Sequence, residues 1–337
     1  MVSLKDVAQS CGVSVATASK ALNGHSDVSE ATAARIREAA QNMGYLPNTV
    51  ARALKTHRTN NIAVLFSDEA QSGLTHNYFS SVLEGFRVVA ESKDYDITFI
   101  SNNQANRRLS YYERCRSRGV DGIVIACVNF DSPQIREIIY GDIPVVTIDH
   151  IFSNCTAIIS DNVKGMRSLV EYALSMGHRK IAYIHGKPSS VTQDRLASFY
   201  RTLYDNNVQV PEHYIMEADY LDWAGAAYCT KKLLDLKDRP TCILYPDDMA
   251  CIGGMNNIQR AGLKIPDDVS VIGYDGQQVS SILTPALTTL RQDTRKIGGM
   301  AAEKLISIIE QPKAAVIERV VVEGELVKGK SVKRLSA

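Results

Sequence analysis

The chain has 337 residues, 45% of them hydrophobic and 22% charged, which is the composition of a folded protein with two or three domains. This composition excludes a natively disordered chain, and a formal net charge of +1 gives no overall attraction to nucleic acid. The charge is uneven, because residues 1–58 hold seven basic and four acidic side chains, a net of +3, against −2 for the remainder. We therefore expect any polyanionic partner to contact the amino-terminal segment.

The seven cysteines are scattered, are never spaced as C-x-x-C, and mostly lie in apolar runs such as residues 122–128. This pattern predicts reduced, buried cysteines in a cytoplasmic protein. The amino terminus lacks a basic-then-apolar signal, and no stretch approaches the roughly 18 apolar residues that cross a bilayer. We expect neither export nor a membrane partner.

Three short helices are predicted at the amino terminus, each with its own start or stop signal. The signals are the S-x-x-D pair Ser3 and Asp6, the turn glycine Gly12, the caps Ser14 and Ser29, and the stop glycine Gly44. A hydroxyl or carboxylate at a helix start accepts from free backbone amides, and glycine adopts the positive φ of a tight turn. The pattern predicts a helix, a short turn and a helix, followed by a third helix.

Two helices joined by a short turn form either an ordinary αα-hairpin or a DNA-binding helix-turn-helix. In the DNA-binding interpretation, the second helix presents side chains that bond phosphates or base edges, or that contact a thymine methyl group. The candidates are Ser14, Val15, Ala16, Thr17, Ser19, Lys20 and Asn23.

Three segments carry a family resemblance: residues 4–23 (LKDVAQSCGVSVATASKALN), residues 28–29 (VS) and residues 44–48 (GYLPN). Together they resemble the amino-terminal signature of the lactose/galactose repressor (LacI/GalR) family over about 50 positions, and the rest of the chain continues the likeness. The resemblance implies a head that docks in the major groove, with Tyr45 among its DNA-binding residues. The family usually has Val and Arg where this chain has Ala18 and Lys20, so the base that Lys20 prefers stays open.

Residues 48–55 are compatible with two helical turns, too short to be stable alone, so we expect this segment to be disordered off DNA. In similar repressors the segment folds on the operator beside its dimer mate and inserts a leucine into the minor groove, which implies Leu54 here. The alternative is a plain linker helix with Leu54 packed on the body. The resemblance extends the DNA-binding set to Asn48, Ala51, Arg52, Leu54 and Lys55.

From Ile62 onward, short apolar runs alternate with amphipathic stretches, which indicates parallel sheets covered by helices on both faces. Strands are predicted at 62–66, 97–100, 122–128, 144–148, 157–159, 181–185, 242–245 and 269–273. Helices are predicted near 78–93, 107–118, 162–177, 193–206, 223–236, 247–262 and 295–310. The fold class is α/β, and the resemblance implies a two-lobed, periplasmic-binding-protein-like body of doubly wound sheets behind the helical head.

The predicted domains are a helix-turn-helix head over 1–47, a hinge and linker over 48–59, and an effector-binding and dimerisation domain over 60–337. The resemblance implies chain crossings near Asp161, Gln292 and Val321. The N-lobe then covers about 60–161 and 292–320, and the C-lobe about 162–291 and 321–330.

Ligands of open α/β sheets bind beyond the carboxyl ends of the strands, where Asp149 and Asp275 are expected. The resemblance adds Arg195, whose planar guanidinium suits bidentate contacts, and Trp223 as a stacking aromatic. The remaining candidates for the effector site are His76, Tyr78 and Phe79 at its rim, and Asp247 after another strand. Each residue has a plainer alternative as a helix cap, an ion-pair partner or a packing residue. Many relatives have Asn-Asp where this chain has Pro246-Asp247-Asp248, so no relative's ligand is transferred.

The sequence contains no metal-ligand spacing, phosphate loop or dinucleotide fingerprint, so we expect no catalysis, no metal and no cofactor. The favoured function is a homodimeric, allosteric repressor of sugar-utilisation genes, released from a double-stranded DNA operator by a small sugar-like inducer. A nucleobase co-repressor that strengthens DNA binding stays open. A sugar-binding transport protein and a doubly wound enzyme are more distant alternatives.

Overall fold

The computed structural model describes residues 2–22, 24, 27–46, 58–67, 73–100 and 109–335. The chain forms two compact units, Met1–Thr59 and Asn60–Ala337. The first unit is called the head and the second the body.

The helices of the head are α1 (Leu4–Ser10), α2 (Val15–Leu22) and α3 (Glu30–Asn42). Helix α1 begins with a capping box between Ser3 and Asp6. The Ser14 hydroxyl accepts from the Thr17 amide at 3.0 Å at the start of α2, and Ser29 caps α3 in the same way. The caps predicted from the sequence are therefore confirmed.

A small core holds the three helices together. Its buried residues are Val7, Ala8, Ala18, Ala21, Ala33, Ile36 and Ala40. Alanine allows the short helices to approach closely around the one large central side chain, Ile36. Gly12 and Gly44 have φ values of +60° and +66°, which glycine adopts without strain and other residues rarely do.

The N-lobe of the body contains a six-stranded parallel sheet in the order β11-β5-β4-β3-β1-β2. Its strands are β1 (Asn61–Phe66), β2 (Asp96–Ile100), β3 (Gly122–Ala126), β4 (Val145–Ile148), β5 (Thr156–Ser160) and β11 (Arg319–Val322). One face is covered by α4 (Asn77–Ser92) and α12 (Thr294–Glu310), the other by α5 (Tyr111–Ser117) and α6 (Pro133–Ile139). In register, Ile62 lies between Ile97 and Gly122. Residues 62–65 of β1 are all buried, so this central strand is buried on both faces.

The C-lobe contains a four-stranded parallel sheet in the order β7-β6-β8-β9. Its strands are β6 (Ile181–His185), β7 (Ile215–Glu217), β8 (Cys242–Leu244) and β9 (Ser270–Ile272). One face carries α7 (Asn162–Ser175) and α8 (Ser190–Asp205), and the other carries α9 (Trp223–Leu234) and α10 (Asp248–Arg260). The short helix α11 (Gln278–Ile282) follows β9.

The chain passes between the lobes at three points. It leaves β5 for α7, and it returns to the N-lobe from β10 (Thr289–Arg291) into α12. After β11 it continues into β12 (Glu325–Val327), which pairs antiparallel with β10. The crossing segments therefore lie side by side, and the Asp161 amide donates to the Val322 carbonyl at 2.9 Å.

The strands and helices predicted from the hydrophobic pattern are present with ends shifted by a few residues, and the α/β fold class is confirmed. The start of the helix predicted near 107–118 lies outside the described residues. The prediction missed α6, α11, β7, β10, β11 and β12. These elements have three to seven residues, too few to display a helical or alternating period.

Candidate functional site

The exposed side of α2 is the candidate surface for reading DNA. Its exposed side chains are Val15, Ala16 and Lys20, and Ser19 is half-buried. The Ser14 hydroxyl bonds the Thr17 hydroxyl at 2.8 Å as well as the Thr17 amide, so both hydroxyls serve the cap in the DNA-free chain. The side chains most accessible to a duplex are therefore two apolar residues and one lysine.

Lys20 forms an ion pair with Asp27, and about half of each side chain is exposed. Tyr45 is half-buried against the head core, and its amide donates to the Ala40 carbonyl at 2.9 Å, which supports a packing role. The other predicted DNA-binding residues, Asn23, Asn48, Ala51, Arg52, Leu54 and Lys55, lie outside the described residues.

On the N-lobe wall of the body, Tyr78 and Asp149 form a tight pair. Tyr78 Oη donates to Asp149 Oδ2 at 2.5 Å, and the Ser160 amide donates to Asp149 Oδ1 at 2.9 Å. Burial, then the Asp149 charge, raises the pKa of Tyr78 well above its usual value, so the phenol stays a donor. The carboxylate is thus fixed at the carboxyl end of β4, where the strand rule predicted it.

His76 and Phe79, both predicted at the rim, have structural roles at the start of α4. His76 Nδ1 accepts from the Phe79 amide at 3.3 Å and caps the helix. The Phe79 side chain is only 2% exposed and stacks on Phe66 with ring centroids 3.7 Å apart. Phe79 therefore lies in the N-lobe core, because an aromatic residue three positions after the cap turns inward with the apolar stripe of α4.

On the C-lobe wall, Arg195 is 3% exposed and anchored by several groups. Its Nε donates to Asn162 Oδ1 at 2.8 Å, and Nη1 donates to the Pro246 carbonyl at 2.9 Å. The guanidinium carbon lies 3.5 Å from the centre of the Tyr274 ring and 5.9 Å from that of Tyr220. Arg195 is not paired with an acid in the manner of a surface ion pair; it is a buried cation in a polar and aromatic cage.

Asp247 is 1% exposed at the start of α10. Its Oδ1 accepts from the Ala250 amide and its Oδ2 from the Leu221 amide, both at 2.8 Å. Burial, followed by repulsion from Asp275, raises the pKa of Asp247 to about 6. Both oxygens are used by backbone amides, which supports a capping role for this predicted effector residue.

Asp275 follows β9 with a φ of +98°, and its Oδ1 accepts from Gln292 Nε2 at 2.7 Å. Asp248 is fully buried beside it and accepts from Thr289 Oγ1 and from the Gln277 amide, each at 2.7 Å. Burial raises the pKa of both carboxyl groups, and the Asp275 charge raises that of Asp248 further. Asp248 therefore contributes to the electrostatics of the site, although it was not among the predicted site residues.

Trp223 is the first residue of α9, and 62% of its side chain is exposed. Its backbone oxygen lies against α10, where a Cβ added to Gly253 would come within 2.0 Å of it. The backbone of Trp223 is held closely while its ring stays outside the core. The exposed ring contradicts the alternative in which Trp223 is a packing residue.

A cleft of about 280 Å³ opens between the lobes, lined in part by Asn77, Tyr78, Asp275, Gln277, Gln292 and Arg295. Of the predicted effector residues, Tyr78 and Asp275 line it directly. Asp149 is outside this lining but bonds Tyr78, which belongs to it. Arg195 and Asp247 are also outside the lining, and each interacts electrostatically with Asp275.

Hydrogen bonds between described residues join the two lobes. Asn77 Nδ2 donates to Gln277 Oε1 at 3.1 Å, and Ser190 Oγ donates to the Asp149 carbonyl at 3.0 Å. Gln277 and Gln292 were not predicted as site residues, since Gln292 was expected only at a chain crossing. Gln292 is identifiable from its position directly after β10, but a strand of three residues is too short to be predicted from the sequence.

Within the described residues, no three or more His, Cys, Asp or Glu side chains are arranged to hold a metal ion. The seven cysteines all lie in the described residues; none of them forms a disulfide, and five are buried, as predicted. Of the helices in the described ranges, none combines the length and apolar character needed to cross a bilayer.

Residues 3–48 match the family model described as bacterial regulatory proteins, lacI family, and residues 170–332 match that of a periplasmic binding protein-like domain. The HTH-type transcriptional repressor PurR of Vibrio vulnificus (strain CMCP6) is 30% identical over 316 residues, 92% of each chain. The probable HTH-type transcriptional repressor ExuR of Bacillus subtilis (strain 168) is 30% identical over 340 residues, the full length of both. The crystal structure of the lac repressor dimer bound to operator and the anti-inducer ONPF superposes with a TM-score of 0.82 at 26% identity, over 98% of this chain and 99% of that one.

A helix-turn-helix head followed by a two-lobed body with a polar cleft defines a ligand-responsive, DNA-binding transcriptional repressor. The chain belongs to the lacI family of bacterial regulatory proteins, which confirms the resemblance identified from residues 4–48.

Proposed function

We propose that this repressor controls sugar-utilisation genes and is released from its operator by a small sugar-like inducer bound between the lobes. The observation that carries the proposal is the convergence of Tyr78, Asp275, Gln277 and Gln292 on one cleft. Fixed carboxylates and amides are the groups that bond the many hydroxyls of a sugar. The exposed ring of Trp223 is available to stack on a sugar ring.

The response to the inducer arises from the lobe contacts. A ligand that bonds both walls either replaces the Asn77–Gln277 and Ser190–Asp149 hydrogen bonds or adds new bonds between the lobes. Either event changes the angle between the lobes. Allosteric coupling of this kind is usually about 1–3 kcal/mol, or about 5- to 150-fold in affinity. We expect the loss of operator affinity to fall in that range.

We further propose a homodimer that binds a pseudo-palindromic operator with half-sites about one helical turn apart. One three-helix head makes too few contacts for tight, specific binding, and the related lac repressor structure is a dimer on its operator. The proposed DNA contacts are the exposed face of α2 and the segment around Leu54. Because the target is DNA, the proposed location is the cytoplasm, and the proposed role is binding without catalysis.

The test begins with an operator duplex selected by the intact protein from a random pool. The duplex, labelled for fluorescence anisotropy, is titrated with protein in the presence of single sugars and single purines. Weakened binding with a sugar supports the proposal. Strengthened binding with a purine supports the co-repressor alternative. If neither class changes operator affinity, control of DNA binding by such a ligand is rejected.

A further inference from the structure

Asp248 is a fully buried acid at the junction of three segments of the C-lobe. It is the first residue of α10. Its Oδ2 accepts from the Gln277 backbone amide, and its Oδ1 accepts from the Thr289 hydroxyl, each at 2.7 Å. One side chain therefore joins the start of α10 to the loop after β9 and to strand β10.

The backbone beside this carboxyl group leaves room for it. A Cβ added to Gly273, the residue after β9, would lie 2.2 Å from Asp248 Oδ1. A larger residue at this position would push the carboxyl group away from the Thr289 hydroxyl. The glycine and the buried acid therefore fit each other, and the hydrogen bonds of Asp248 depend on both.

Both segments that Asp248 joins are connected to the N-lobe. The side chain of Gln277 reaches that lobe directly, because its Oε1 accepts from Asn77 Nδ2 at 3.1 Å. Strand β10, which contains the fully buried Thr289, leads into α12 of the N-lobe and pairs with β12 of another crossing segment. Asp248 therefore lies between a contact that joins the lobes and a strand through which the chain crosses between them.

The two hydrogen bonds do not require a charged carboxylate. Burial, followed by the charges of Asp275 and Asp247, raises the pKa of Asp248 well above its usual value. The Gln277 amide needs only one acceptor oxygen, and the Thr289 hydroxyl is able to donate to the other oxygen or to accept from it. The connection therefore persists when Asp248 is protonated, and an asparagine of the same shape is able to maintain it.

We propose that Asp248 is a positioning residue for the response to ligand: it ties the Gln277 loop to β10, so that the Asn77–Gln277 bond and the crossing strand move together. A change at the lobe contact is then passed to β10 through one buried side chain. This inference rests on the proposed change of lobe angle and adds the residue that carries it. Loss of the Asp248 side chain should therefore alter operator affinity even without a ligand.

The test is a double-mutant cycle on the full chain, without added ligand, using the operator duplex selected by the intact protein. Fluorescence anisotropy gives the operator Kd of Asn77→Ala, of Asp248→Ala and of the double variant. We expect both single variants to shift Kd in the same direction by about two- to tenfold, the scale of a lost hydrogen bond. The double variant should match the larger single effect, because both changes break one connection. Effects that multiply, or an unchanged Kd in Asp248→Ala, overturn the proposal.

Two further variants separate the connection from general weakening of the C-lobe. Asp248→Asn keeps the shape with one acceptor and one donor, and we expect its operator Kd to stay within about twofold of the wild type. Tyr245→Phe removes a buried hydroxyl that bonds Thr230 at 2.8 Å in the same lobe, and we expect no change in Kd. Equal shifts in Tyr245→Phe and Asp248→Ala would overturn the proposal, as would an asparagine variant that behaves like the alanine variant.

Thr289→Val replaces Asp248→Ala in the cycle if circular dichroism shows that the alanine variant does not fold. It cuts one of the two hydrogen bonds at nearly constant shape, and we expect its Kd to shift in the same direction as that of Asn77→Ala. A shift in the opposite direction, or none, overturns the proposal. Because no ligand is added, failure of this test leaves the proposed sugar response to be judged by its own titration.

Discussion

The guanidinium carbon of Arg195 lies 3.5 Å from the centre of the Tyr274 ring, and both side chains are buried in the C-lobe. The same guanidinium holds Asn162 at the start of α7 and the Pro246 carbonyl after β8. One buried cation thus connects three segments that follow strand ends. We therefore expect the stability of the C-lobe to depend on this residue.

Arg195→Lys is expected to lower the free energy of unfolding by about 1–3 kcal/mol, because an ammonium cannot stack on Tyr274 while bonding both acceptors. Urea unfolding of the full chain measures the change. Arg201→Lys is the matched control, since Arg201 lies on the exposed side of the same helix and pairs with Asp205. Equal stability of the Arg195→Lys variant and the control would show that the cage contributes nothing to folding.

Asp27→Asn is expected to tighten operator binding by about two- to fivefold, because Lys20 no longer has to leave an exposed ion pair to reach the duplex. Anisotropy titration with a labelled operator measures the change. Glu38→Gln removes the same charge elsewhere in the head and corrects for general repulsion of DNA. If both variants bind alike, the ion pair does not restrain Lys20.

Asp247 makes stability depend on pH. Its folded pKa of about 6 lies above its usual 3.8, so the folded chain holds the proton more tightly than the unfolded chain. The resulting stabilisation is complete below about pH 4 and is lost as the pH rises through about 6. Relative to Asp247→Asn, the wild type should lose about 1–3 kcal/mol of unfolding free energy between pH 4 and pH 7. Urea unfolding of both proteins across this pH range tests the prediction. Parallel pH profiles for the two proteins would contradict it.

Gly298→Ala is expected to destabilise the N-lobe by about 2–3 kcal/mol. A Cβ there would lie 1.8 Å from the Val82 carbonyl oxygen, so α12 would have to move away from α4. Gly299→Ala is the matched control, because its nearest contact is 3.4 Å from a Val89 methyl group and alanine favours the helix. Thermal unfolding of the two variants should separate them. Equal midpoints would mean that the α4–α12 contact is looser than described.

The head and the parallel strands were predictable because their signals are local. Ser3 and Asp6 lie within one helical turn, and the apolar run at Ile62 is continuous because both faces of β1 are buried. The cleft was only partly predictable. Asn77 and Gln277 are 200 positions apart and meet only when the lobes pack, and no local pattern encodes that contact. Phe79 was predicted at the rim, and the structure buries it in the N-lobe core on the apolar stripe of α4.

The most direct test of the account compares operator binding by the intact chain with that by residues 60–337 alone, using the duplex selected by the intact protein. The body is a compact unit, so loss of binding would not simply reflect unfolding, and circular dichroism verifies this. We expect nanomolar binding by the intact chain and a loss of at least about 100-fold without the head. Undiminished operator affinity in the chain that lacks residues 1–59 would contradict it.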